Sequence, residues 1–305
     1  MLKKSILIAS SMMLLSTTAI AHSGDDINAN DINDNYNNDG SKHIHHYTPD
    51  GHAPIGVMGD HLHDEGEIML SYRYKNMLMK GMRDGTSDLT ISEVTSAGGN
   101  YGFMMTPTRM VMDMHMLGAM YGATDDVTLM VMGHYMENRM DMINRMGVRS
   151  KMSSDGFGDT TVSALIKLYQ EKDYMGVDGE DEDESETLHM QLGLSLPTGS
   201  TDEKGQRMGG FGNLPYSMQL GSGTYDPVVA LTYFENEGEY SWGAQAYGKF
   251  RFGENDQDYR LGNEYKVTSW VAKNITEWAS ASFRVEGISK GDITGFDPDT
   301  IGFRN

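Results

Sequence analysis

Two residue types in this sequence have the numbers and spacing to do chemistry, and both are ligands rather than catalysts. Seven of the ten histidines, His22, His43, His45, His46, His52, His61 and His63, fall within the first 63 positions. Imidazole suits Cu(II), Zn(II) and Ni(II), and several interchangeable rings on a flexible chain can hold a divalent ion without fixed geometry. The competing reading is a polar tail whose histidines do nothing. Methionine is the second type: 19 of 26 lie between Met58 and Met152. Thioether sulfur is a soft ligand for Cu(I), and it is equally an adaptable apolar filler. Copper or zinc is therefore the only cofactor class the composition suggests.

Other chemistry finds little support. With no cysteine in the chain, thiolate nucleophiles and thiolate metal sites are excluded. His115, His134 and His189 stand on separate segments and no G-x-S-x-G elbow occurs, so an enzyme is not expected. Gly98-Gly99-Asn100-Tyr101-Gly102 lacks the lysine that a phosphate loop requires.

The elements that must position these ligands are strands. From Arg109 to Asn138 two alternating segments flank the polar turn Gly122-Ala123-Thr124-Asp125-Asp126, a β-hairpin pattern. Further period-two runs predict seven more strands: one from about Gly66, then Asp159 to Tyr169, Leu188 to Leu196, Val228 to Phe234, Tyr240 to Phe252, Arg260 to Val271 and Glu277 to Glu286. The Asp141 to Asp155 stretch reads as a loop. Long loops alternate with short turns, which predicts an all-β, up-and-down antiparallel transmembrane β-barrel. The polar side of each strand should then line the lumen: Arg73 and Lys75, Asp113 and His115, and Met130, Met132 and His134. Met110, Met112, Met114 and Met116 are expected on the lipid side. A mixed site of His115 with Met130, Met132 or His134 is the one compact arrangement that strand spacing allows.

Lys3 and Lys4, the apolar run Ile6 to Ile20 and the small-x-small end Ala19-Ile20-Ala21 read as an export signal over residues 1–21. Cleavage would leave His22 as the N terminus, its ring and α-amine placed to chelate together. Residues 22–56 are Asn/Asp/His-rich and read as a disordered periplasmic tail. The barrel is expected over 57–305, with a solvated acidic insertion at 173–186 and closing strands beyond Asn305. Without the two leader lysines the formal charge of −20 becomes about −22, so nucleic acid is not an expected partner. The mean hydropathy of −0.48 does not argue against a barrel, in which only alternate strand residues face lipid.

Several words in the chain occur together: Ala53-Pro54-Ile55-Gly56-Val57-Met58-Gly59-Asp60-His61, Ser71-Tyr72-Arg73-Tyr74, Arg83-Asp84-Gly85-Thr86, Met112 to Gly118, Gly156-Phe157-Gly158-Asp159-Thr160 and Leu196-Pro197-Thr198-Gly199-Ser200. In these, from about Ala53 onward, the chain resembles the outer-membrane transporter proteins of the MetA-pathway phenol-degradation family. The resemblance implies a barrel of about a dozen strands in a Gram-negative outer membrane, in contact with lipid and passing small solutes, with no catalytic residues. Envelope copper or divalent-metal binding by the His-rich tail and Met-rich strands is the alternative function.

Overall fold

A computed structural model of the chain describes residues 6–9, 51–84, 87–96, 103–173, 184–207, 210–276 and 279–295. Its main feature is one antiparallel sheet of eleven strands. In chain order these are β1 (Ile6–Ala9), β2 (Ile68–Lys80), β3 (Met105–Thr124), β4 (Val127–Asn144), β5 (Arg149–Phe157), β6 (Thr160–Asp173), β7 (Glu184–Leu196), β8 (Asp226–Glu237), β9 (Tyr240–Lys249), β10 (Glu264–Thr276) and β11 (Ala279–Lys290). The order across the sheet is β1-β11-β10-β9-β8-β7-β6-β4-β3-β2, with β5 pairing β4 off this path. The nine strands expected from period two are all present. Among the described residues no pairing joins β2 to β1, so the sheet is a curled half-barrel. Residues 174–183, the centre of the acidic insertion, lie outside the described residues, as do 10–50.

Two strands depart from expectation. β5 fills the stretch read as a loop, and it pairs the far half of β4, from Tyr135 against Phe157 to Ile143 against Arg149. The near half of β4 pairs β6 instead, Val127 against Ile166 through Met132 against Thr161. β1 lies inside the export-signal stretch and pairs the outer edge of β11.

Side chains sort between two faces as the pleat requires. The convex face carries Leu70, Leu117, Leu129, Val131, Val162, Leu192, Leu231, Val267 and Val271, all exposed. Such a band exposed to water would be unfavourable at about 25 cal/mol per Å², and in a bilayer it is the expected surface. Aromatic residues border it: Tyr121, Tyr169, Tyr240 and Trp242 toward the short turns, Tyr74, Phe157 and Tyr265 toward the loops.

The concave face holds the packing. Met105, Met110, Met140, Met142, Met152, Leu214 and Met218 form one buried cluster, and Met120, Met130 and Leu165 another, with Leu62, Met69 and Met132 against it. The expectation for β3 is thereby reversed. Its methionines, paired with those of β4 (Met110 with Met140, Met114 with Met136, Met120 with Met130), face inward, while Asp113 and His115 stand on the convex face. They are tolerated there because they lie at and beyond the aromatic border. Asp113 accepts bonds from Tyr74 Oη and Asn76 Nδ2, each at 2.6 Å, and pairs with Arg139.

Loops at the far rim are tied by two of the sequence words. Asp159 accepts the Gly199 amide at 3.1 Å through Oδ1, and the Ser222 amide at 2.9 Å and hydroxyl at 2.6 Å through Oδ2. Thr198 Oγ1 donates to Gly158 O at 2.9 Å and accepts the Thr160 amide at 2.8 Å.

Candidate functional site

The site is built on residues 51–67, whose composition assigns them in part to a free tail and which are instead laid over the concave face. This stretch has almost no ladder of its own, only a bridge between Ile55 and Val57. Its backbone polar groups therefore need partners from elsewhere, and side chains of several strands supply them. Arg73 Nη1 on β2 donates to Val57 O at 2.7 Å, and Gln245 Nε2 on β9 to Met58 O at 2.9 Å. His189 Nε2 on β7 lies 2.8 Å from Gly59 O, and because a carbonyl only accepts, that nitrogen carries the proton. Thr128 Oγ1 on β4 accepts the His63 amide at 2.8 Å.

The end of the segment joins the sheet through backbone. Gly66 N donates to Gly122 O at 2.8 Å and Gly122 N to Glu67 O at 2.9 Å, extending the β2–β3 ladder. A Cβ at Gly122 would lie 1.8 Å from Asp64 O, so only glycine permits this approach. Gly59, at φ +61°, makes the turn that aims its carbonyl at His189 and the next residue, Asp60, back toward Ala53.

That turn gathers ionisable groups. Asp60 is buried, its Oδ2 accepting the Ala53 amide at 2.9 Å. His61 Nδ1 lies 3.2 Å from the same oxygen and 3.3 Å from His52 Nδ1, and His52 Nδ1 is 3.9 Å from Asp60 Oδ2. His61 Nε2 is 3.2 Å from His63 Nε2, and His63 Nδ1 is 3.0 Å from Glu67 Oε2. Burial alone would raise the Asp60 carboxyl, but the charge and hydrogen bond of His61, with His52 and Arg73 behind, hold it well below the usual carboxylate range. Burial pulls His61 down and the charge and hydrogen bond of Asp60 overturn it, so its net shift is upward. His52 and His63 are both lowered, first by burial and next by the charge of His61.

Of the residues singled out from sequence, Arg73 and Lys75 lie on the concave side of β2, and Met130, Met132 and His134 on that of β4. Asp113 and His115 are on the opposite side, His115 Nδ1 bonding Tyr72 Oη at 2.7 Å. The mixed site of His115 with Met130, Met132 or His134 is therefore not formed, because the sheet separates its members. His22, His43, His45 and His46 lie outside the described residues, whereas His52, His61 and His63 come together. Sequence reading missed Asp60, Glu67, His189 and Gln245. The spacing Asp60-His61-x-His63 with Glu67 four residues on was the available signal for the first two; the other two act on backbone carbonyls and leave no pattern.

A family model described as "Putative MetA-pathway of phenol degradation" matches residues 121–295. Among solved structures the chain is similar to a COG4313 outer membrane channel from Pseudomonas putida F1, at 12% identity and a TM-score of 0.39, covering 79% of this chain and 99% of that one. It is also similar to the outer membrane protein OprG from Pseudomonas aeruginosa, at 9% identity and a TM-score of 0.20, covering 77% and 98%. Neither likeness is close enough to bear on what the site does. No curated protein matches the chain significantly.

Proposed function

The chain belongs to the MetA-pathway phenol-degradation family, and from that premise we propose that it is an outer-membrane channel through which small solutes move along the concave face of the sheet. The observation that carries this reading is the opposition of the two faces. An apolar convex band bordered by aromatics suits lipid, while the concave side is lined by methionines, hydroxyls, amides and the charges of Arg73, Lys266, Arg284 and Glu286. Residues 51–67 lie across that side, so passage runs beside them and their placement sets what can pass.

Methionine supplies a polarizable, compliant wall and the facing amides and charges an aqueous one. Such a pair of walls suits small amphiphilic or aromatic solutes better than inorganic ions alone. The test is conductance of the full-length protein in a planar bilayer, with flux of small aromatic and sugar probes into proteoliposomes. Discrete conductance steps and faster entry of the aromatic probe are expected. Absence of both conductance and flux would overturn the channel reading.

A further inference from the structure

Among the described residues, His52, Asp60 and His61 form a group whose donor atoms all lie within 4.8 Å of one another. Their separations have a chemical meaning. Two ligands bound at about 2.0–2.1 Å in tetrahedral geometry sit about 3.3 Å apart. The His52 Nδ1–His61 Nδ1 distance is 3.3 Å and the His61 Nδ1–Asp60 Oδ2 distance 3.2 Å, with the third edge at 3.9 Å. Three donors thus outline one face of a tetrahedron, and all three come from one ten-residue turn.

A second observation points the same way. A metal-bound imidazole usually donates its other N–H to an acceptor that fixes its tautomer. His61 has that acceptor in His63 Nε2 at 3.2 Å, and His63 in turn has Glu67 Oε2 at 3.0 Å from its Nδ1. With an ion in place of the proton that His61 Nδ1 otherwise shares with Asp60, one assignment satisfies the whole chain: Glu67 accepts from His63 Nδ1–H, His63 Nε2 accepts from His61 Nε2–H, and the His61 Nδ1 lone pair is free for the metal.

We infer that His52, Asp60 and His61 bind one late first-row divalent cation of the Zn(II) type, oriented by the His63–Glu67 relay, on the segment that lies over the concave face. The two-nitrogen, one-oxygen donor set suits Zn(II) and Cu(II). Three protein ligands leave a fourth position for water or solute. The ion would lock the turn between His52 and His61 and neutralise its carboxylate. The inference stands apart from the channel reading, since it concerns binding and not passage.

Zn(II) is titrated into the full-length protein in detergent against a chromophoric chelator, and Co(II) is loaded separately to read its visible spectrum. The wild type is expected to bind one tight Zn(II) per chain and to show the intense d–d bands of tetrahedral Co(II). Glu67→Gln should weaken Zn(II) by about 10- to 100-fold while keeping one site, as loss of an outer partner does. The pair His52→Ala and His61→Ala together should lose more than that and abolish the Co(II) bands. Replacing His43, His45 and His46 by Ala should leave both readouts unchanged. The inference is overturned if wild-type Co(II) shows no tetrahedral bands, an outcome that needs no variant to fold. It is equally overturned if the double variant, retaining its β circular-dichroism spectrum, binds Zn(II) as the wild type does, or if the tail substitutions remove the tight site.

Discussion

The two halves of the concave face hold the same segment by different physics. On β2 to β5 the wall is largely methionine, and Leu62 packs on Met120 and Met130 with Leu165 of the adjoining β6, while Arg73 and Thr128 add one bond each, to the Val57 carbonyl and from the His63 amide. From β6 to β11 the wall is hydrogen-bonded. Gln191 Nε2 reaches Ser163 Oγ at 2.9 Å, Gln245 Nε2 reaches Thr232 Oγ1 at 3.0 Å, Lys249 Nζ reaches Ser195 Oγ at 3.3 Å, and Arg251 pairs with Asp226. Thioethers accommodate shape and amides fix it. The segment is therefore cushioned chiefly on one side and indexed chiefly on the other: the polar half holds the carbonyls of Met58 and Gly59, and Arg73 of β2 holds that of Val57.

The largest effect should come where neither half can adapt. Gly122→Leu drives a side chain into the Asp64 backbone, so residues 51–67 should leave the face, seen as rapid limited proteolysis within them and a several-fold rise in conductance. Unchanged protection would mean that the β3 junction does not hold the segment. Next, Met120→Ala and Met130→Ala each remove packing from the buried cluster and should lower stability in denaturant titrations by about 2–5 kcal/mol. If Ser163→Ala costs as much, the contrast between the halves is void.

A smaller effect is expected from Gln245→Leu, which strips the Met58 carbonyl of its donor at a cost of about 1–3 kcal/mol. Adding His189→Leu should make the loss less than additive, because a segment already loosened has less to lose. Strict additivity would show that the two carbonyls are held independently. The smallest effect belongs to the convex face. Arg139→Ala removes a largely exposed guanidinium from Asp113, whose covered carboxylate keeps its bonds from Tyr74 and Asn76, and should change stability by no more than about 1 kcal/mol, with ion selectivity unaltered. A shift in selectivity would return Asp113 to the lumen.

How much of this could be read from the chain depends on the same contrast. Period two exposed nine strands because their convex residues are apolar, as in the Leu188, Met190, Leu192, Leu194 run of β7. β5 escaped notice because it stands past the aromatic border, where both faces are polar: Ser150, Met152 and Ser154 inward against Lys151, Ser153 and Asp155 outward. On β3 the alternation was clear and its sense was not, since methionine is at home on either face and Asp113 reads as lumenal until its height along the strand is known. The site itself was half legible. Histidines announced a ligand set, but the fold of residues 51–67 is dictated by carbonyls meeting Arg73, His189 and Gln245, contacts between positions more than a hundred residues apart for the last two.

The backbone bonds that run from Gly66 and Glu67 into Gly122 make the covering segment and the wall one continuous piece of chain, with β2 beginning at Ile68. A cover tethered this closely meets its own binding face at an effective concentration on the order of millimolar. Any release of the segment from the face, and its return, would then be first-order, independent of how much protein the membrane holds. A free peptide copying residues 51–64 would compete poorly for the vacated face, because the resident segment returns before the newcomer can settle.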